Sequence, residues 1–206
     1  MIIHNVEQGT EEWFRLRLGM PSASKFKDLV TPKGKPSAQS EKYLYELLAE
    51  RLSGKREEGF KTFWMQRGND LEPQAANVFE FQTDLNCREV GFVTDDNQTV
   101  GCSPDRLVDG VGLEIKCPSP AVHVKYLADY ANNGTMPSEY YAQVQGTMWV
   151  MDFDRYYFMS YHPDHSNLIM VVNRDDDYIA GLSAAIGKLL RDLNTNFEKI
   201  GTMYGI

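Results

Sequence analysis

Near the middle of the chain, the stretch Gly-Leu-Glu-Ile-Lys-Cys-Pro places two opposite charges, Glu114 and Lys116, two positions apart. In an extended strand such residues share a face, so both project together while Leu113 and Ile115 point the other way. Burying charge is costly unless it is paired or bound to a metal. Glu-x-Lys alone recurs too often to mean more than an exposed ion pair. Asp105, however, lies nine positions before Glu114, directly after Ser103-Pro104, and the intervening Asp109-Gly-Val-Gly112 reads as a tight turn. A hairpin there brings Asp105 beside Glu114. Two carboxylates and a main-chain carbonyl make a hard-oxygen site suited to Mg²⁺, or to Mn²⁺ in its place. Such an ion activates bound water and offsets charge developing on a phosphate. A lysine beside it can orient or deprotonate that water. This is the set that phosphodiester hydrolysis needs.

The elements that must position these residues can be read from patterning. Thr10 is placed to cap a short helix carrying Trp13, Phe14 and Leu16, and Ser22 to cap another through Leu29. Thr31–Ser37, with two prolines, a glycine and two lysines, is an exposed loop. Tyr43, Leu44, Leu47, Leu48 and Leu52 recur at helical spacing before Gly54, and a further helix begins at about Asp70. After Arg88 the texture changes to short β-branched segments with turn residues between them. Helical patterns return at 119–131 and 137–151, two strands follow around the turn Pro163–Ser166, and a last helix covers about 175–197. The order predicts an α/β protein, a central mixed sheet flanked by helices. One domain over 1–206 is expected, with a helical part at about 1–87, a sheet core at about 88–172 and the C-terminal helix.

Composition sets the wider bounds. With 42% hydrophobic and 12% aromatic residues the chain can build a core, so disorder is not expected. No apolar run approaches the roughly 18 residues of a membrane span, and the N-terminus lacks the pattern of a secretory signal. The expectation is a cytoplasmic protein with no membrane association. Cys87, Cys102 and Cys117 are odd in number and lack CxxC spacing, which argues against disulfides and a structural zinc. The net charge of −8 excludes coating of nucleic acid by the whole surface. Yet between residues 15 and 35 six cations face only Asp28, a local stripe of +5 that can meet phosphates or simply be solvated.

Pro104-Asp105 and Glu114-Ile-Lys116 together resemble the active-site motif of the PD-(D/E)XK nuclease superfamily. Leu-Arg-Leu-Gly at 16–19, Ser-Ala-Ser at 22–24, Cys-Ser-Pro-Asp at 102–105, Gly112–Pro118 and the block at 140–150 narrow the resemblance. In that order they are similar to the lambda exonuclease and YqaJ-type viral recombinase family. The resemblance implies a restriction-endonuclease-like fold and Mg²⁺-dependent 5′→3′ digestion of double-stranded DNA ends. It implies release of 5′-mononucleotides, a 3′ single strand for recombination, a ring-shaped homotrimer and a single-strand annealing protein as partner. Carried onto this chain, Asp105, Glu114 and the Ile115 main-chain carbonyl are metal ligands, and Lys116 is the catalytic lysine. Glu72 matches a further carboxylate, set against a reading as a solvated helical glutamate. Gln143 matches the glutamine that follows the core motif. Gln143 and Gln145 stand about 200° apart on a helix, so only one can face the site. Arg17 and Ser24 match a 5′-phosphate pocket, set against a helix-terminal charge and a cap.

Other features carry bland readings. His162 and His165 flank a turn and offer too few ligands for a metal. Trp13, Trp64 and Trp149 are expected in the core. Two rivals to the exonuclease remain: an endonuclease of the same superfamily, and a non-catalytic module that binds DNA ends or protein.

Overall fold

The computed structural model describes residues 1–56 and 63–205; the expected span 1–206 also takes in 57–62 and 206, which lie outside the described residues. The chain opens with β1 (Ile2–His4) and α1 (Glu11–Arg17), whose cap is the Thr10 hydroxyl accepting from the Trp13 N–H at 3.4 Å. Ala23–Asp28 form a 3₁₀ helix where an α-helix was expected, and Ser22 makes no side-chain cap there. Its hydroxyl accepts instead from Arg17 Nη2 at 3.3 Å. Next come α2 (Ser40–Ser53), closed by left-handed Gly54, and α3 (Phe63–Thr83). Among the described residues α3 starts well before the expected Asp70. Its first residues, Phe63, Trp64 and Met65, are 73%, 47% and 57% exposed, so no buried face announces that turn in the sequence.

Strands β2 (Cys87–Arg88), β3 (Phe92–Thr94), β4 (Gly101–Cys102), β5 (Arg106–Val108) and β6 (Val111–Lys116) lead into α4 (Pro120–Asn133) and α5 (Ser138–Met151). Then β7 (Arg155–Ser160), β8 (Leu168–Asn173) and α6 (Asp176–Tyr204), capped by Asp175, complete the fold. The strands form two sheets where one was expected: β1-β3-β4, and a five-stranded sheet ordered β2-β5-β6-β7-β8. Period-two patterning marks a strand but not its partner, so the division was not readable. In the larger sheet β6 runs antiparallel to β5 and parallel to β7, with α4 and α5 making the crossover that a parallel pair requires.

Helices cover both faces of this mixed sheet. On one face, Ala75, Ala76 and Phe79 of α3 pack on Leu113, Ile115 and Met159. On the other, Val144 and Met148 of α5 pack on Tyr156, Phe158 and Met170. A third cluster joins the 3₁₀ helix, α2 and α6 to the smaller sheet. Cys102 and Cys117 are buried, Cys87 is half-buried, and all three are free thiols.

Gly112 of β6 lies opposite Tyr156 of β7, and a Cβ there would stand 2.0 Å from the Tyr156 ring. Tyr156 is fully buried and cannot swing into solvent. Gly112→Ala is therefore expected to cost about 1–3 kcal/mol of stability through overpacking. Urea unfolding checks this, and an unchanged midpoint would show that the ring yields.

Candidate active site

Strand alternation settles which face carries the charges. Leu113 and Ile115 are buried under α3, so Glu114 and Lys116 project toward α5. Glu114 is wholly buried, and Lys116 Nζ lies 2.5 Å from its Oε1. Gln143 of α5 donates from Nε2 to the same oxygen at 2.5 Å. Glu114 Oε2 is buried with no hydrogen-bond partner among the described residues. The Lys116 ammonium also stands 5.2 Å from the Tyr140 ring centroid. Gln145 faces elsewhere: buried, it donates to the Asn173 carbonyl and accepts from the Asp175 N–H, both at 2.9 Å, fastening α5 to the start of α6.

Asp105 stands just before β5. Its N–H donates to the Leu113 carbonyl at 3.2 Å, and its Oδ2 accepts from the Ile115 N–H at 2.6 Å. Leu113 and Ile115 thus turn their main-chain groups to the β5 side of β6, and alternation sends the Ile115 carbonyl there too. Glu72 reaches the region from α3, but its Oε1 accepts from Arg106 Nη1 at 2.6 Å. Among the described residues no three His, Cys, Asp or Glu side chains close into a metal cage. Glu72 stands beside the Asp105–Glu114 pair.

Electrostatics there favours a cation. Burial, and then Asp105, push Glu114 up to about 7 despite Lys116. Burial also raises Asp105, against the pull of Lys116 and the Ile115 N–H. Burial and Asp105 raise Glu72, against Arg106. Burial works against the Lys116 charge, but Glu114 and Asp105 outweigh it and hold its pKa above the ordinary lysine value. Hard-oxygen donors, an unpartnered buried carboxylate oxygen and crowded carboxylates fit a divalent ion.

The Arg17 guanidinium leaves α1 for a nest of hydroxyls. It donates to Ser22 and Ser103 at 3.3 Å and to Ser24 at 3.4 Å. The Trp13 ring lies under it at 4.0 Å, and Trp13 Nε1 donates to Ser103 Oγ at 3.1 Å. No carboxylate pairs with Arg17 among the described residues. Burial, with Arg56 nearby, lowers its pKa to about 10. A cation held by hydroxyls and an aromatic face, with no carboxylate paired to it, is suited to an anion. Sequence reasoning missed Ser22, Ser103 and Trp13. Two signals were available: Ser103 stands two positions before Asp105, and Trp13 and Arg17 are four apart on a helix.

Several expectations change here. Trp13 and Trp64 are not core residues: Trp13 is half-buried under Arg17, and Trp64 lies at the exposed start of α3. Trp149 does pack against the core. The basic stripe is partly spent, because Arg15 pairs with Glu11 and Lys25 with Asp28 and Glu46. His162 accepts from the Asp164 N–H at 3.2 Å within its turn. His123, not singled out in the sequence, stacks on His165 at 5.9 Å and is held by Ser160 and the Ser166 carbonyl.

An open cleft of about 2070 Å³ runs past Asp105, Glu72, Trp13, Arg56 and Met65. It exceeds the several hundred to about 1,000 Å³ of a small-ligand pocket and suits a polymer.

The sequence model of the YqaJ-like viral recombinase domain matches residues 12–154. The crystal structure of an alkaline exonuclease from Laribacter hongkongensis superposes with a TM-score of 0.84 at 31% identity, covering 95% of this chain and 98% of that one. Its complex with dAMP gives 0.84 at 30% identity, with the same coverage of 95% and 98%. A phage related exonuclease from Haemophilus somnus 129PT gives 0.69 at 15% identity over 88% and 96% of the two chains, a likeness of fold alone. No curated protein matches.

Proposed function

The chain belongs to the YqaJ-like viral recombinase domain family, and on that footing we propose that it is a metal-dependent 5′→3′ exonuclease of double-stranded DNA. Its fold is restriction-endonuclease-like. The observation that carries the reading is the join between two sites: Ser103, which bonds Arg17, is two residues from Asp105. An anion pocket beside a carboxylate–lysine centre suits an enzyme that works from a phosphorylated end. That a relative is an alkaline exonuclease, with a structure in complex with dAMP, supports DNA as substrate and a mononucleotide as product.

Mg²⁺, or Mn²⁺ in its place, would be held by Asp105, Glu114 and the Ile115 carbonyl with Glu72 nearby, and would supply an activated water and charge compensation on the scissile phosphate. Lys116, an ammonium beside Glu114, orients the attacking water and stabilises the developing phosphorane charge. Gln143 holds Glu114 in place. Arg17, Ser22, Ser24 and Ser103 hold the 5′-phosphate, with Trp13 fixing the guanidinium plane. In this reading the product is a 5′-mononucleotide and a 3′ single strand remains for strand annealing with a partner protein. A ring-shaped homotrimer in the cytoplasm completes the proposal. Among the described residues no helix is long and apolar enough to cross a membrane.

The test compares a linear duplex bearing 5′-phosphates with a covalently closed circle. With Mg²⁺ the linear form is expected to yield mononucleotides while the circle stays intact, and a chelator should stop release. Cleavage of the circle would reject the exonuclease in favour of an endonuclease. Failure of Mg²⁺ and Mn²⁺ to bind, read by calorimetry, would favour a non-catalytic module.

A further inference from the structure

Arg56 stands two residues past Gly54, which closes α2, and its side chain is exposed. Its guanidinium lies 4.6 Å over the Phe14 ring, as that of Arg17 lies 4.0 Å over the Trp13 ring. The two rings belong to consecutive residues of α1 and meet edge to face, with centroids 4.9 Å apart. α1 thus presents two aromatic seats in succession, each taken by a guanidinium. Trp13, Phe14 and Arg56 all line the open cleft that runs past Asp105. Among the described residues no carboxylate pairs with Arg56 or with Arg17. Burial, and then the Arg56 charge, lower the Arg17 pKa to about 10, as two cations near enough to repel each other would.

Like charges held near each other cost free energy until an anion comes between them. A phosphodiester carries one negative charge, which Arg17 alone can balance. A terminal phosphomonoester carries about −1.5 to −2 at pH 7. Arg17 by itself leaves part of that charge uncompensated, and a second guanidinium supplies the remainder. The same pair facing an internal phosphodiester would keep a positive charge in excess. We propose that Arg56 is a specificity-determining residue that reads the second negative charge of a terminal 5′-phosphate, so that the pocket selects a phosphomonoester end over a singly charged phosphodiester. The inference rests on the 5′-phosphate reading of the Arg17 pocket.

The experiment uses three linear duplexes that differ only at the 5′ end: a phosphate, a methyl phosphate with one charge, and a hydroxyl. Single-turnover release of a base-labelled first nucleotide is followed with Mg²⁺ at enzyme concentrations below saturation, because every later cut starts from a new phosphate. The wild type is expected to favour phosphate over methyl phosphate by about fivefold, the most that an exposed ion pair supplies. Arg56→Ala and Arg56→Gln should bring that ratio close to one while methyl phosphate stays ahead of hydroxyl, and Arg56→Lys should restore most of it. A methyl group that merely clashed in the pocket would leave the ratio the same in every variant, and that result would overturn the proposal. So would an equal slowing of all three ends, which marks Arg56 as a general backbone contact or a prop for Phe14. A wild type that prefers phosphate to hydroxyl but gives either of those results loses only this inference. One that does not distinguish phosphate from hydroxyl loses the 5′-phosphate pocket as well.

Discussion

Lys116→Ala is expected to slow nucleotide release from linear duplex by about a thousandfold at saturating Mg²⁺. The magnitude follows from where the ammonium sits. It is 2.5 Å from a wholly buried carboxylate and is the one cation in contact with Glu114 among the described residues. A preorganised charge in a water-poor site acts on the transition state without reorganising, so its loss appears in kcat more than in KM. Removing it also leaves Glu114 with Gln143 as its side-chain partner, and breaking a buried pair costs about 3–5 kcal/mol when nothing replaces the charge. Thermal unfolding with and without Mg²⁺ separates these effects, because the ion should restore much of the lost stability but none of the rate. Activity within tenfold of wild type would remove Lys116 from the reaction.

Arg17→Ala is expected to erase the preference for 5′-phosphorylated over 5′-hydroxyl ends. Charge-assisted hydrogen bonds contribute about 1.5–3 kcal/mol, which converts to a loss of about 10–100-fold on phosphorylated ends and little change on hydroxyl ends. Ser22 and Ser24 lie 3.5 Å apart and can bond each other or water once the guanidinium is gone, so no buried charge is orphaned. The fold should therefore survive. End-labelled duplexes of both kinds, digested side by side, provide the measurement. An unchanged preference would mean that Arg17 is a structural cation held by Trp13.

What the sequence made legible was governed by local chemistry. Alternation within Leu113–Lys116 placed Glu114 and Lys116 on one face, and a turn tighter than expected, Asp109–Gly110 with Val111 and Gly112 already in β6, brought Asp105 alongside. The helical step separated Gln143 from Gln145, and the structure turns only Gln143 toward Glu114. Contacts made across the fold were not legible. Arg106 follows Asp105 in the chain, yet its partner Glu72 lies 34 positions away on α3. The nest around Arg17 joins α1 to Ser103, 86 positions on. Trp64 misled because an apolar residue is read as core unless a neighbour shows that it is uncovered. The smaller sheet escaped for a related reason: strand identity is a local property, and pairing is not.

Pro104 carries a consequence beyond its place in the motif. Its φ is fixed by its ring, its carbonyl is held by Gln8 Nε2 at 2.9 Å, and it is the sole residue between Ser103 and Asp105. Two residues of extended chain span about 7 Å at most. In the proposed reaction, the separation between the seat of the terminal phosphate and the point of cleavage is then a short length standard cut into the backbone itself. In that reaction, how much is removed at each stroke would be a matter of bond lengths and one ring, set before any strand arrives.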